Sequence, residues 1–254
     1  MELENYLIRL LELRHMSYQI DLLLRESLDN VKSFKDVNIV SASQFILSDW
    51  TIQPEKGWTV NRPSGISKKV YHKDYESEVQ RIVSSQCCYS FAQGFEALES
   101  FCKNLIVLKA EHNLEYRTST EKKRSKKLDR NSLSSQDLFD LVKVAGGKAF
   151  IEYSRKNFAK IRFKEFWTVI SDSRHAITHS NSFVKQHKVF KTSYYEVLYR
   201  YLFHLKEGED DKIELRLDYH KYSHNNKIMG EFAFLVFKSF SESENLEWKT
   251  SFMK

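Results

Sequence analysis

The stretch 79-VQRIVSSQCCYSFAQGFEALESFCKNLI-106 places apolar side chains at steps of three and four residues. On an α-helix these steps return to one face. The positions that share this face are Val79, Ile82, Val83, Cys87, Phe91, Phe95, Leu98, Cys102, Leu105 and Ile106. The pattern predicts one helix from about 74 to 112, roughly ten turns long. It also favours a mainly α fold class.

Residues 2 to about 32 repeat this pattern. Their apolar stripe consists of Tyr6, Leu10, Leu13, Ile20, Leu24, Leu28 and Val31. Two long amphipathic helices separated by an excursion predict an antiparallel pair at the centre of a helical bundle. The chain has two prolines and seven glycines, whereas an all-β sandwich needs many more turn residues.

The excursion between the two long helices runs from about 36 to 72. Its apolar residues stand among Ser, Asp, Pro54, Gly57 and Pro63. This composition predicts an insertion of short strands or irregular structure, packed by Trp50 and Trp58.

The second half of the chain is also predicted to be mostly helical. The predicted helices are, in order, a short one that begins at Ser134 or Ser135 and stops at Gly146–Gly147, then about 148–158, 162–179, 192–206 and 225–241. The Tyr-rich stretch 192–206 could also form a strand, although a helix is favoured. Alternating apolar residues predict a minor strand near 212–219. Because the chain shows no internal repeat and no linker, residues 1–254 are expected to form a single domain.

Composition and charge narrow the class of protein. Hydrophobic residues make up 41% of the chain and aromatic residues 14%, which excludes the disordered class. The formal net charge of +6 favours polyanionic partners such as nucleic acid. Cys87, Cys88 and Cys102 are too few for a disulfide framework and are predicted to be small core residues.

A cytoplasmic location is expected, without membrane contact. The N-terminal residues lack the apolar core of a signal peptide, and no apolar run approaches the roughly 20 residues of a membrane span. His220 and His224 are spaced like some zinc ligands, but no third ligand is evident, so they are interpreted as surface histidines. No metal or cofactor is predicted.

The polar run 117-RTSTEKKRSKKLDR-130 carries a cluster of positive charge. One interpretation is a solvated, flexible loop; another is a contact with a nucleic-acid backbone. The two are compatible, because basic loops commonly become ordered on binding. The candidate nucleic-acid-binding residues are Lys122, Lys123, Arg124, Lys126 and Lys127.

The segment 162-RFKEFWTVISDSRHAITHSNSF-183 holds the residues best suited to chemistry. Arg174 follows Ile170 by four residues and precedes Ile177 by three, so it shares their apolar face. An arginine there must be paired or must line an occupied cleft. His179 lies five residues later, roughly 140° around the helix. Either the helix ends near Thr178 and lets His179 swing back, or two copies of the chain combine their residues across a two-fold axis.

Arg174 and His179 together could cleave RNA without a metal. Histidine titrates near neutral pH and can take a proton from a ribose 2′-hydroxyl or give one to the departing 5′-oxygen. Arginine stays charged and its fork matches two phosphate oxygens. The spacing alone is weak evidence, since about 1.4 such Arg–His pairs are expected by chance. The chain contains a second pair, Arg9 and His15, in an ordinary amphipathic pattern.

The run 170-ISDSRHAITHS-180, late in a helical chain and after an aromatic-rich helix, resembles the R-x4–6-H motif of HEPN domains. The resemblance is close over about ten residues, and the helical order extends it loosely over 1–32 and 74–241. It implies a helical bundle that dimerises with its motifs face to face. It further implies a metal-independent endoribonuclease that leaves a 2′,3′-cyclic phosphate and a 5′-hydroxyl, as in toxin–antitoxin and antiviral defence systems.

Carried onto this chain, the resemblance makes Arg174 and His179 the catalytic residues. His175 follows the arginine, where the family frequently has Asn, and it is assigned a supporting role with Thr178 and Asp172. The implied partners are RNA, a second copy of the chain, and an antitoxin or other defence-system protein. Position 181 is Asn, so the variant of the motif that ends in H-x-Tyr is absent.

Two other interpretations stay open. The chain could be a non-catalytic HEPN module that binds nucleic acid, a nucleotide or a protein. It could also be a structural helical domain, in which case Arg174 would form a salt bridge inside its own chain, for example with Asp172.

Overall fold

The computed structural model describes residues 2–34, 38–48, 61–157 and 160–244. The helices in chain order are α1 (Glu2–Lys32), α2 (Tyr75–His112), α3 (Leu114–Arg124), α4 (Ser135–Lys156), α5 (Phe163–His179), α6 (Gln186–Val189), α7 (Ser193–Leu202) and α8 (Tyr219–Glu244). The strands are β1 (Ile39–Ser48), β2 (Asn61–Tyr71), β3 (Phe183–Lys185), β4 (His204–Glu207) and β5 (Lys212–Arg216). The fold is mainly α, as predicted.

The chain divides into two compact units. One comprises the described parts of Met1–Tyr18 and Ser84–Lys254, and the other comprises those of Gln19–Val83. Compactness and independent folding are different properties, so the single-domain expectation stays a prediction.

In the larger unit the two long helices run antiparallel, which confirms that prediction. Tyr6 stacks on Phe101 with ring centroids 5.4 Å apart, and the Ser17 hydroxyl donates to the Ser90 hydroxyl at 2.9 Å. As the residue number increases along α1, the residue number of its contact on α2 decreases, so the two helices run in opposite directions. Burying the apolar stripe of each helix against its neighbour supplies most of the stability of such a pair.

The centre of the larger unit is an aromatic cluster from three helices. Phe95 of α2, Trp167 of α5 and Phe232 of α8 are all buried. The ring centroids of Phe95 and Trp167 lie 5.2 Å apart, and those of Trp167 and Phe232 lie 6.0 Å apart. The apolar face of α5 is thereby fixed against α2 and α8, and this contact orients the residues at the far end of α5.

A three-stranded antiparallel sheet in the order β3-β5-β4 completes the larger unit. Strand β5 begins at Lys212, where the minor strand was predicted. The helix favoured for 192–206 ends earlier, at Leu202, and β4 follows it from His204. The predicted break at Gly146–Gly147 is confirmed, because Gly147 adopts φ +55° and kinks α4. Only glycine reaches that backbone region without strain.

The smaller unit carries the predicted insertion as a β-hairpin. Strands β1 and β2 pair antiparallel from Ile39 opposite Tyr71 to Ser48 opposite Asn61. Within this unit the hydroxyls of Ser27 and Tyr75 lie 2.6 Å apart. The packing role predicted for Trp50 and Trp58 falls outside the described residues.

The prediction of a flexible loop at 117–130 is wrong, because much of this segment is helical. Its first eight residues belong to α3, which Asn113 caps by accepting a hydrogen bond from the Tyr116 amide at 2.8 Å. Beyond the helix, the Glu121 carboxylate accepts a hydrogen bond from the Leu128 amide at 2.8 Å, and Leu128 is buried. A helix cap and a buried leucine order a segment that its charge alone suggests is mobile.

Candidate active site at the end of helix α5

The C-terminal end of α5 is set by its backbone. The amides of Ser180 and Ser182 both donate to the Ala176 carbonyl, at 2.9 and 3.0 Å. Asn181 and Ser182 have φ values of 50° and 68°, a left-handed conformation that stops the helix. The Leu215 amide donates to the Ser182 carbonyl at 2.8 Å and ties this turn to β5. The last helical turn, with its exposed His179, is held at a defined place.

Arg174 is fixed by carboxylates of α2. Its Nη2 lies 3.4 Å from Oε2 of Glu99, and its Nε lies 4.0 Å from Oε1 of Glu96. The Arg174 side chain is 23% exposed, whereas that of Glu99 is 8% exposed. The guanidinium therefore has a buried anchor, and part of the Arg174 side chain stays exposed. The intrachain salt bridge expected for a purely structural arginine is present, but its partner is Glu99 and not Asp172.

His179 lies on the exposed side of the same helix. Helix α5 ends at His179, one residue beyond Thr178, but His179 lies beside His175 and does not swing back towards Arg174. On a continuous helix the side chains of Arg174 and His179 diverge by roughly 140°. Within one chain the histidine does not share the face of the arginine.

His175 does share the face of His179. The two imidazole rings lie one turn apart with centroids separated by 4.9 Å and planes inclined by 47°. Both residues are exposed. The structure therefore brings together two histidines where the sequence analysis paired a histidine with an arginine.

The other two supporting residues are engaged elsewhere. The Thr178 hydroxyl donates to the Arg174 carbonyl at 3.0 Å, within the helix. Asp172 accepts a hydrogen bond from Lys188 at 2.6 Å. The Thr178 hydroxyl is therefore occupied within α5, and Asp172 ties α5 to α6.

Glu99 and Arg130 were assigned no role of their own from the sequence. Glu99 occupies the apolar stripe of α2 between Phe95 and Cys102, and a carboxylate at such a position signals a buried cationic partner. Arg130, at the end of the basic run, donates to the Ser100 hydroxyl at 2.5 Å. Because Glu99 and Ser100 are consecutive on α2, the two arginines approach neighbouring positions of one helix.

The basic run presents most of its predicted residues to solvent. Lys122, Lys123, Lys126 and Lys127 are exposed. Arg124 differs, because its side chain is 14% exposed and donates to the Ser132 carbonyl at 2.8 Å. Arg124 stabilises the turn after α3 and is poorly placed to contact a phosphate.

No metal site accompanies these residues. The described part of the chain holds no group of three or more His, Cys, Asp or Glu side chains arranged to bind a metal ion. His220 and His224 are both exposed. Burial tends to raise the pKa of the Asp218 carboxyl, but hydrogen bonds from the Lys221 amide and from His204, whose Nε2 lies 3.0 Å from Oδ2, hold that pKa below its usual value.

A cleft of about 500 Å³ lies between α4 and the start of α5, lined by Phe139, Phe150, Arg155 and Arg162 among others. It is at the opposite end of α5 from His179, and neither Arg174 nor His179 lines it. His175 and His179 are both exposed, and an exposed site suits a polymer substrate better than a small molecule.

Comparisons with protein-family models, with curated proteins and with solved structures find no match to this chain. Among the described helices, each is too short or too polar to cross a membrane. The chemistry of the site is therefore inferred from its own residues.

Proposed function

We propose that this chain is a HEPN-type, metal-independent endoribonuclease. The observation that carries the proposal is the end of α5, where a charged guanidinium anchored by Glu99 and an exposed His179 lie on consecutive turns. Arginine can stabilise the charge of a phosphorane-like transition state, and histidine can move the protons. The products are a 2′,3′-cyclic phosphate and a 5′-hydroxyl, and DNA is refused because it lacks the 2′-hydroxyl.

The divergence of the two side chains supports a site built from two copies. A two-fold axis places identical surfaces face to face, so Arg174 of one copy can meet His179 of the other. In this proposal the protein is a homodimer and acts as a toxin or defence effector, restrained by an antitoxin or another partner protein. Arg130 and the exposed lysines after Glu121 extend positive charge along the RNA path.

The direct test is cleavage of labelled single-stranded and transfer RNA by purified protein in EDTA. We expect wild-type cleavage with a cyclic phosphate end, no cleavage where a 2′-deoxynucleotide replaces the target, and loss of activity in Arg174→Ala and His179→Ala. Arg9→Ala and His15→Ala are matched controls, since they carry a similar Arg–His spacing on exposed positions of α1. Full activity in either α5 variant contradicts the proposal.

The salt bridge between Arg174 and Glu99 is the one expected of a structural arginine, so it favours a function without catalysis. The exposed lysines after Glu121 make a nucleic-acid-binding module the second candidate function. In that case Arg174 serves stability inside its own chain. This candidate predicts RNA binding that weakens steeply with salt, together with intact RNA after prolonged incubation.

A further inference from the structure

Two proton transfers are needed in the proposed cleavage, and Arg174 can perform neither. One proton must leave the attacking 2′-hydroxyl, and another must reach the departing 5′-oxygen. An arginine stays protonated in proteins. A single imidazole can serve both oxygens only in sequence, so His179 alone leaves one transfer without a dedicated group.

His175 has the position that the second transfer requires. It lies one turn before His179 on the same face of α5, and the ring centroids are 4.9 Å apart. Within the described residues, neither ring makes a hydrogen bond or an ion pair to another side chain, and Thr178, between them, donates to the backbone. Both imidazoles are therefore free to contact a substrate from the same side.

We propose that His175 is a second catalytic residue, which forms with His179 the general acid–base pair that cleaves RNA by attack of the 2′-hydroxyl. This inference rests on the proposed function and deepens it. Both proton-transfer groups then come from one copy of the chain, whereas Arg174 comes from the other copy of the composite site.

The reaction balances with these two groups alone. The neutral imidazole takes the proton of the 2′-hydroxyl while the O2′–P bond forms. The P–O5′ bond breaks, and the protonated imidazole of the other histidine gives its proton to O5′. The cyclic phosphate and the 5′-hydroxyl leave, and the two rings have exchanged protonation states. The 2′-oxygen attacks phosphorus on the side opposite to the departing 5′-oxygen. Two imidazole rings 4.9 Å apart can therefore each reach one of these oxygens.

A supporting role for His175 would need only a hydrogen bond, and this difference makes the proposal testable. Asparagine hydrogen-bonds but does not transfer protons near neutral pH. We expect His175→Asn and His175→Ala to slow cleavage equally, by about 10²- to 10⁴-fold. Because position 175 is exposed, both variants should keep the wild-type melting temperature. Wild-type activity in His175→Asn overturns the proposal.

A modified substrate identifies the proton donor. When sulfur replaces the bridging 5′-oxygen, the leaving group is a thiolate, which departs without a proton because a thiol has a pKa of about 8.5. We expect this substrate to restore cleavage in His175→Ala or in His179→Ala but not in both, and not in Arg174→Ala. Restoration in neither histidine variant contradicts an acid–base pair.

Mixed dimers separate this inference from the proposed function. Mixing Arg174→Ala with His179→Ala creates one complete composite site and should restore part of the activity, whereas mixing His175→Ala with His179→Ala should not, because no copy then holds both rings. Restoration in the second mixture overturns the pair within one copy and leaves the ribonuclease proposal standing. Absence of cleavage by the wild-type protein on both substrates overturns the two together.

Discussion

The guanidinium of Arg174 lies 3.4 Å from the buried carboxylate of Glu99, although the two residues are 75 positions apart in the chain. The contact crosses from α5 to α2 and anchors the arginine, while part of its side chain stays exposed. Arg174 therefore has a structural role in addition to its proposed catalytic role. Variants must distinguish the effect of a substitution on stability from its effect on cleavage.

The structural role of Arg174 should appear in the free energy of unfolding. In Arg174→Ala the Glu99 carboxylate stays buried without its partner, and we expect a loss of about 1–3 kcal/mol in the free energy of unfolding. Adding Glu99→Gln removes the buried charge and should recover much of that loss. Urea unfolding of the two single variants and the double variant measures the coupling. Equal midpoints for wild type and Arg174→Ala would show that the pair contributes nothing.

Acid should weaken the smaller unit through Glu78. Hydrogen bonds from Arg81, reinforced by Lys68, lower the pKa of the Glu78 carboxyl to about 2 from an ordinary 4.5. A depressed folded-state pKa means that this stabilisation is present above pH 4.5 and is lost as the pH falls towards 2. The two cationic side chains are about half exposed, so we expect about 1 kcal/mol. Urea unfolding at pH 7, 4 and 3 should show a smaller acid loss in Glu78→Gln than in wild type or in the control Glu209→Gln.

Two glycines should respond in opposite directions to alanine. Gly147 has φ +55° with open space around it, so Gly147→Ala strains only the backbone and should cost about 1 kcal/mol. Gly230 lies inside α8, where an added Cβ meets Leu7 at an ordinary 3.5 Å, and Gly230→Ala should add about 0.5–1 kcal/mol. Thermal unfolding of the two variants measures both. A gain in stability at position 147 would contradict the kinked helix.

The cysteines should be unreactive in the folded protein. Cys87, Cys88 and Cys102 are all buried, and burial raises the pKa of the Cys88 thiol to about 12. Because the thiolate is the reactive species, a thiol reagent at pH 8 should label none of the three before unfolding and all three in denaturant. Rapid labelling of Cys88 in the native protein would contradict its placement against β5.

Arg130 should contribute to RNA binding if RNA follows the surface near Arg174. Arg130→Ala should weaken binding equally for different sequences and lower the slope of log affinity against log salt by about one. Fluorescence anisotropy at several salt concentrations measures the slope, with Arg9→Ala as the control. An unchanged slope would place the RNA elsewhere.

The local pattern of apolar residues predicted most of the helices. The period of α2, the glycine break in α4 and the bounds of α5 all follow from neighbouring residues, because a helix is closed by contacts three and four positions apart. The same limit explains the misjudged basic run. The segment is ordered because Leu128 is buried in the core and the Glu121 carboxylate accepts a hydrogen bond from its amide. The net charge of the run predicts neither contact.

The sequence by itself determined that Arg174 lies on an apolar face and that His179 lies a turn and a half beyond it, since both statements need only helical geometry. Tertiary structure decided the rest. It selected Glu99 as the partner of Arg174 and brought Arg130 to Ser100. Ion pairs between distant helices depend on how those helices pack, and the packing is fixed by the aromatic cluster of Phe95, Trp167 and Phe232.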